Sequence, residues 1–228
     1  QFLKQGVMEQ GQVTDPEAGT PQGGVISPLL ANVYLNPLDH LLAAQGCAAV
    51  RYADDMVILC RTPAEAEATL ELLRHWITAA GLELHPEKTR IVDMAQVGSF
   101  FDFLGYRFKR TRHRLLWFPR PKSLARLRDA VREQTRRTNG RSLAETVRRL
   151  NPVLRGWYLY FQHSFANVFP TVDAWVRMRL RSILRKRHHR RGRGRGLDHH
   201  RWPNAFFAEQ GLFSLAAAHA AACQSVRR

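Results

Sequence analysis

Charge along this chain is split in a way that limits what it can build. Residues 1–100 hold 6 Lys and Arg against 12 Asp and Glu, a net of −6, whereas residues 101–228 hold 29 against 7, a net of +22. The chain reads as two electrostatic objects, an acidic part and a basic part. At 228 residues it is long enough for each to have a core. Acidic and arginine-rich halves on one chain point to nucleic acid, because carboxylates hold metal and arginines hold phosphate. Simple adsorption to a polyanion or a membrane surface fits less well. The basic half also carries Trp117, Trp157, Tyr158, Tyr160, Phe161, Trp175 and Trp202, enough mass for a folded interior. No run approaches the length of a membrane span, so no membrane partner is expected. Cys47, Cys60 and Cys223 form no CxxC pair and are odd in number, which fits a reducing, cytoplasmic setting. The chain opens on Gln1 in mid-pattern and reads as a piece of a longer frame.

Within the acidic half, Arg51-Tyr52-Ala53-Asp54-Asp55-Met56-Val57-Ile58-Leu59-Cys60 places two adjacent carboxylates between short apolar runs. The pattern reads as two buried strands joined by a tight turn with the acids at its tip. Neighbouring anions repel, and beside a low-dielectric strand pair only a cation or solvent relieves them. Mg²⁺ suits the position, with Mn²⁺ as a substitute, since such ions are held by one or two carboxylates plus substrate phosphates. Successive strand residues face opposite ways, so Asp54 is expected to carry the metal and Asp55 to assist. An isolated Asp-Asp turn is more often just solvated; the surrounding sequence favours the metal.

Upstream, Gly19-Thr20-Pro21-Gln22-Gly23-Gly24-Val25-Ile26-Ser27-Pro28 is a loop entering a helix, with Ser27 as expected N-cap and Pro28 as first helical residue. Bare amides and a helix N-terminus suit phosphate, although an ordinary turn explains these residues equally well. The helix continues through Leu29, Leu30, Val33 and Tyr34 to an expected break or kink at Pro37. Thr62-Pro63-Ala64-Glu65 is a capping box for a helix with Ala66, Leu70, Leu73 and Ile77 on its apolar face, ended by Gly81. From Gly81 to Val92 polar and apolar residues alternate around Pro86, which predicts half-buried strands. The first half is therefore α+β.

Beyond an expected boundary between Phe108 and Pro121 the period is helical. Leu124, Leu127 and Val131 mark one face, with Arg128, Arg132 and Arg136 on another. Ser142-Leu143-Ala144-Glu145 is a second capping box, for a helix expected to break at Asn151-Pro152. A third helix turns Val172, Trp175, Val176, Leu180 and Ile183 inward and Arg177, Arg181 and Arg185 outward. Residues 185–195, including Arg190 and Arg191, form a glycine-interrupted basic run that reads as a flexible RNA-contacting loop. A single arginine stripe is usually a solvated face. Several stripes with few acids to offset them are most simply explained by a polyanionic partner.

Taken in order, these segments resemble a bacterial group II intron reverse transcriptase/maturase over nearly the whole chain. Residues 19–32 are similar to the palm loop that contacts template and incoming nucleotide, and Tyr52-Ala53-Asp54-Asp55 to the polymerase hairpin. Gly81-Leu82-Glu83-Leu84 through Lys88-Thr89 resembles the next palm motif, and Phe103-Leu104-Gly105-Tyr106 the primer grip. Leu154-Arg155-Gly156-Trp157, Arg201-Trp202-Pro203-Asn204 and Gly211–Leu215 resemble the thumb or maturase domain. The resemblance implies an α+β fold: a partial right-hand palm over 1–98, primer grip and connector over 99–118, and an all-helical RNA-binding thumb over 119–228. It implies RNA-directed DNA polymerisation and splicing assistance, with intron RNA, a template/primer duplex and dNTP as partners. Asp54 and Asp55 would hold metal, with Lys88 near the triphosphate. Pro21, Gln22, Gly23, Gly24, Tyr52 and Ala53 would position nucleotide and template, residues 103–106 the primer, and Arg128, Arg132, Arg136, Arg177, Arg181, Arg185, Arg190 and Arg191 the RNA. The upstream palm aspartate and the fingers of the family precede the matching region, so this stretch alone is expected not to polymerise. A non-catalytic RNA-binding maturase is the alternative.

Overall fold

The computed structural model describes residues 7–9, 12–14, 26–138, 140–190, 192, 194 and 196–225. The loop residues Pro21, Gln22, Gly23 and Gly24, and Arg191 in the basic run, lie outside them. The chain forms two compact units, Gln1–Asp93 and Met94–Arg228.

The first unit begins with a short antiparallel pair, β1 (Val7–Glu9) and β2 (Gln12–Thr14). Helix α1 (Ser27–Ala44) follows, then the hairpin β3 (Ala48–Tyr52) and β4 (Asp55–Leu59), then α2 (Pro63–Ala79). Leu38 and Leu42 of α1 and Leu73 and Ile77 of α2 form its core, with Ala49, Met56 and Ile58 of the hairpin packed on them. The capping box at Thr62 is real: its side chain accepts from Glu65 N at 3.1 Å. The return bond goes to the backbone N–H of Arg61 rather than to the cap residue, at 2.7 Å.

Three expectations fail here. Ile26 is the cap of α1, without a side-chain hydrogen bond, and Ser27 is the first helical residue. The helix also runs unbroken past Pro37. A mid-helix proline costs about 3 kcal/mol, and burial of two leucine side chains, at about 1.5–3 kcal/mol each, offsets it; Leu38 and Leu42 are both within 1% of full burial. Residues 81–92 form no strand. The N–H groups of Lys88 and Thr89 turn back to His85 O at 3.2 and 3.0 Å, so alternation there marks a turn, and Leu84 alone joins the core.

The second unit opens with a three-stranded antiparallel sheet, β5 (Phe100–Phe103), β6 (Tyr106–Arg110) and β7 (Leu115–Pro119), in sequence order. Helices α3 (Pro121–Gln134), α4 (Leu143–Phe161) and α5 (Val168–Arg187) follow, then the short α6 (Asp198–Arg201) and α7 (Asn204–Glu209), and α8 (Leu215–Ser225). Beyond β7, which ends at Pro119, the described residues are helical or loop, so the α+β class with a helical basic part holds. Val131, Leu150, Leu154, Phe169, Leu180 and Phe207 are essentially inaccessible and form one continuous core.

Ser142 caps α4 by accepting from Glu145 N at 3.1 Å. The expected break at Asn151-Pro152 is absent, because Leu150 and Leu154 on either side are fully buried. Asn151 has a different task. Its amide donates to Gly211 O at 2.8 Å and accepts from Phe213 N at 2.9 Å, fastening the loop after α7. Asp173, buried on α5, accepts from Ser214 Oγ, Leu215 N and Ala216 N at 2.7–3.1 Å, and so caps α8 from a neighbouring helix.

Candidate nucleic-acid site: a carboxylate turn and an arginine-rich helical unit

The hairpin pairs Val50 with Val57, Arg51 with Met56 and Tyr52 with Asp55, which leaves Ala53 and Asp54 as a two-residue turn. Ala53 has φ 54°, the left-handed value that tight hairpin turns demand at their first central position. Side chains alternate, so the hairpin has two unlike faces. Ala49, Met56 and Ile58 pack onto the helices. Val50, Tyr52 and Leu59, on the other face, are 54%, 68% and 58% exposed, so the strands are covered on one side only and not buried as expected.

Asp54 and Asp55 are exposed, and among the described residues neither meets a cationic side chain. Asp39, Asp102, Asp129, Glu145 and Asp198 each do. Two open carboxylates fit an ion that takes one or two protein oxygens and the rest from phosphate and water. They do not make a closed protein cage: among the described residues no group of three or more His, Cys, Asp or Glu is placed to hold a metal. Lys88 is exposed on the 85–89 turn.

Arg51 was missed by sequence reasoning. It lies on the covered face of the hairpin and its side chain is only 10% exposed. Nε donates to Asp39 Oδ1 at 2.8 Å and Nη2 to Asp39 Oδ2, while Nη1 donates to Asn32 Oδ1 at 3.0 Å and to Ala53 O at 2.9 Å. Hydrogen bonding to the Arg51 guanidinium holds the Asp39 carboxyl below the usual carboxylate range. The sequence signal was present: in a strand where 49, 56 and 58 face the core, residue 51 faces inward too, and an inward arginine requires acceptors.

Phe103 pairs with Tyr106 across a second tight turn, in which Leu104 and Gly105 have φ 46° and 80°. The turn is held by its own unit. Tyr160 Oη donates to Leu104 O at 2.9 Å, Arg120 N and Ser123 Oγ donate to Gly105 O at 2.9 and 3.1 Å, and Tyr106 Oη donates to Tyr160 O at 2.6 Å. A Cβ at 105 would meet Ser123 Oγ at 3.4 Å and Phe161 Cζ at 3.5 Å, so the close approach made at this glycine is to the chain's own side chains.

The basic stripes divide. Arg128, Arg132, Arg136 and Arg190 are exposed as expected, although Arg132 donates to Asp129 at 2.5 Å. Arg177 is half-buried. Arg181 is not outward: it is 2% exposed, with Nε on Trp202 O and Nη2 on Asn204 Oδ1, both at 2.9 Å, and its guanidinium over Phe207. Burial, with Arg177 nearby, lowers its pKa. Arg185 pairs with Asp198, which is 1% exposed, at 2.5 Å. Helical period groups 177, 181 and 185 on one stripe, but the α6–α7 corner folds over two of them. Nor is Gly194 merely a flexible spacer, because a Cβ there would lie 2.7 Å from Arg181 Cβ. In their place the fold offers Arg179, which donates to Thr135 Oγ1 and O at 3.1 and 3.0 Å and lines an open groove with Arg132, Arg136, Asp129 and Glu133. Burial and the neighbouring Arg137 and Arg132 lower its pKa.

Among the described residues no helix is long and apolar enough to cross a membrane. Two family models match in tandem: reverse transcriptase (RNA-dependent DNA polymerase) over residues 1–108, and the group II intron maturase-specific domain over residues 124–202. Protein YkfC of Escherichia coli (strain K12) is 31% identical over 147 residues, 49% of this chain and 38% of that protein. Group II intron-encoded protein LtrA of Lactococcus lactis subsp. cremoris is 56% identical over 41 residues, 18% of this chain and 7% of that protein. A retrovirus-related Pol polyprotein from the type-1 retrotransposable element R2 of Nasonia vitripennis is 28% identical over 100 residues, 40% and 10% of the two chains. The chain thus spans well under half the length of the curated relatives it matches. With a reverse-transcriptase match, then a maturase-specific one, over an α+β unit and a basic helical one, the chain belongs to the group II intron reverse transcriptase/maturase family.

Proposed function

We propose that this chain carries the carboxylate hairpin and the RNA-binding helices of an RNA-directed DNA polymerase that also assists splicing of its intron RNA. The carboxylate turn carries this reading: two open acids sit at the tip of a hairpin that packs one face on its helices and leaves the other exposed. Residues 1–98 serve as the latter part of the palm, 99–118 as primer grip and connector, and 119–228 as the thumb. Asp54, assisted by Asp55, would hold Mg²⁺ or Mn²⁺. Bound there, the ion supplies activation of the primer 3′-hydroxyl and charge neutralisation at the leaving pyrophosphate. Lys88 adds positive charge for the leaving group. Gln22 and the Gly23-Gly24 backbone, with Pro21, Tyr52 and Ala53, position template and dNTP, while Phe103 to Tyr106 hold the primer. Arg128, Arg132, Arg136, Arg177 and Arg190, together with Arg191 of the basic run, bind RNA phosphate.

The test is RNA-templated primer extension by this chain completed with a palm segment that supplies the upstream aspartate. Asp54→Ala should abolish extension and leave RNA affinity within about twofold, because the acid contributes no phosphate contact. Extension that survives the substitution refutes the polymerase role. A non-catalytic maturase is the second reading, favoured by the separate core of the helical unit, which permits RNA binding without polymerisation. It predicts splicing assistance unchanged by Asp54→Ala and no extension in the completed protein.

A further inference from the structure

We infer that Arg51 is the positioning residue of the carboxylate turn, fixing where Asp54 and Asp55 point by tying the turn to α1; this deepens the metal reading above and rests on it. The turn has few other constraints. Two residues link the strands, one of them an alanine with φ 54°, a conformation that residues with a Cβ seldom hold unaided. Among the described residues the hairpin is a single pair of strands with one face open, so no flanking strand there sets the direction of its tip.

Arg51 supplies what is missing. Its guanidinium spreads over four acceptors: both carboxylate oxygens of Asp39, Oδ1 of Asn32 and the carbonyl of Ala53. Asp39 and Asn32 stand seven residues apart on α1, two turns of one helix, so they present their acceptors on the same side. The fork of an arginine meets a carboxylate with two parallel bonds and keeps donors to spare, which a lysine cannot do. The third donor lands on the residue whose backbone is left-handed, next to Asp54. The effect on the acids is indirect, through the peptide that leads into them.

Magnetic resonance of the 228-residue chain tests the assignment. Amide order parameters are read at residues 53–55 and at Ala49 and Ile58, and Mn²⁺ is titrated while the broadening of amides 52–56 is followed. In the parent the turn should be as ordered as the strands, near the ~0.85 of rigid backbone. In Arg51→Lys it should fall below about 0.6 while Ala49 and Ile58 keep their values. Apparent Mn²⁺ affinity should drop about tenfold, the scale of losing a charged hydrogen bond. Asp39→Asn, which keeps the arginine and removes the charge that anchors it, should move both readings the same way, and it decides the matter if the lysine variant does not fold. Order and affinity unchanged in both variants overturn the assignment. So does a uniform loss across the hairpin and the α1–α2 core, or failure of both variants to fold, because Arg51 is then a general brace. If the parent shows no Mn²⁺ broadening at the turn, the metal reading fails, and the order parameters still decide the role of Arg51.

Discussion

Gly105 separates a structural account of the 103–106 turn from one based on nucleic-acid contact. With φ 80° at Gly105 after 46° at Leu104, the turn asks for left-handed backbone at both central residues. A side chain with a Cβ pays about 1–2 kcal/mol to adopt that conformation. The new Cβ itself would sit 3.4 and 3.5 Å from Ser123 Oγ and Phe161 Cζ, ordinary contact distances, so Gly105→Ala costs the backbone term and little else. Asparagine tolerates the left-handed region and should cost less than alanine. Valine drives two further methyls toward Ser123 and Phe161 and adds roughly 1–3 kcal/mol of overpacking. In a chain of this size each kcal/mol shifts the melting midpoint by about 2–4 °C, so alanine should lower it by roughly 2–8 °C. Tryptophan emission is the right probe, because Trp117, Trp157, Trp175 and Trp202 all lie in the second unit and only Trp76 in the first. The expected order of midpoints is glycine, asparagine, alanine, valine. Alanine melting at the parental midpoint, or asparagine no better than alanine, refutes the reasoning; the glycine would then serve an external contact, and loss of extension without loss of stability would be its mark.

Replacing Arg128, Arg132 and Arg136 together should weaken binding to structured RNA of any sequence and reduce the slope of log affinity against log salt by roughly 2–3, as expected for that many phosphate contacts; loss confined to one RNA sequence would contradict it. Hydrogen bonds from Arg148 and Arg149 depress Glu145 to a pKa of about 2 from the usual 4.5, so its contribution at the start of α4 is complete above about pH 4.5 and lost as pH falls toward 2. The stability difference between the parent and Glu145→Gln should be present at neutral pH and vanish near pH 2 in an acid titration followed by circular dichroism. Asp173→Ala should cost about 2–4 kcal/mol in chemical denaturation, combining loss of a helix cap with stranded buried donors; an unchanged midpoint would mean that α8 is capped by other groups.

Local chemistry was legible and distant chemistry was not. Thr62 and Ser142 were identifiable as caps because donor and acceptor lie three residues apart, and both bonds form. The two prolines misled because their cost is local while the compensation is tertiary: Leu38, Leu42, Leu150 and Leu154 are buried against other elements, which no window of sequence contains. Residues 81–92 alternate like a strand yet meet no ladder, and their N–H groups close a turn on His85 instead. At the candidate site the acids were plain from the apolar runs around them. Arg51 was not, because it read as part of the motif's spelling rather than as a charge on the inward face of a strand.

The arginines of the second unit show why its charge survives folding. With 29 basic residues against 7 acidic in 101–228, ion pairing cannot neutralise the whole. The fold does not try to. Several arginines are held by neutral acceptors: Arg179 by the hydroxyl and carbonyl of Thr135, Arg181 by Trp202 O and Asn204 Oδ1, and Arg187 by Arg141 O. A guanidinium that donates to neutral oxygens still carries its full charge, whereas one bound to a carboxylate does not add to the net field. Even Arg181, 2% exposed, therefore contributes to the potential outside. Such an arrangement costs the folded state self-repulsion; at Arg179 burial first, and then the neighbouring Arg137 and Arg132, lower the pKa. A polyanion relieves that repulsion without touching the buried groups. Affinity for RNA in this unit should accordingly belong mostly to exposed arginines that make contacts and in part to the buried Arg181, which makes none, and substituting Arg181 by a neutral residue would confuse a loss of field with a loss of fold.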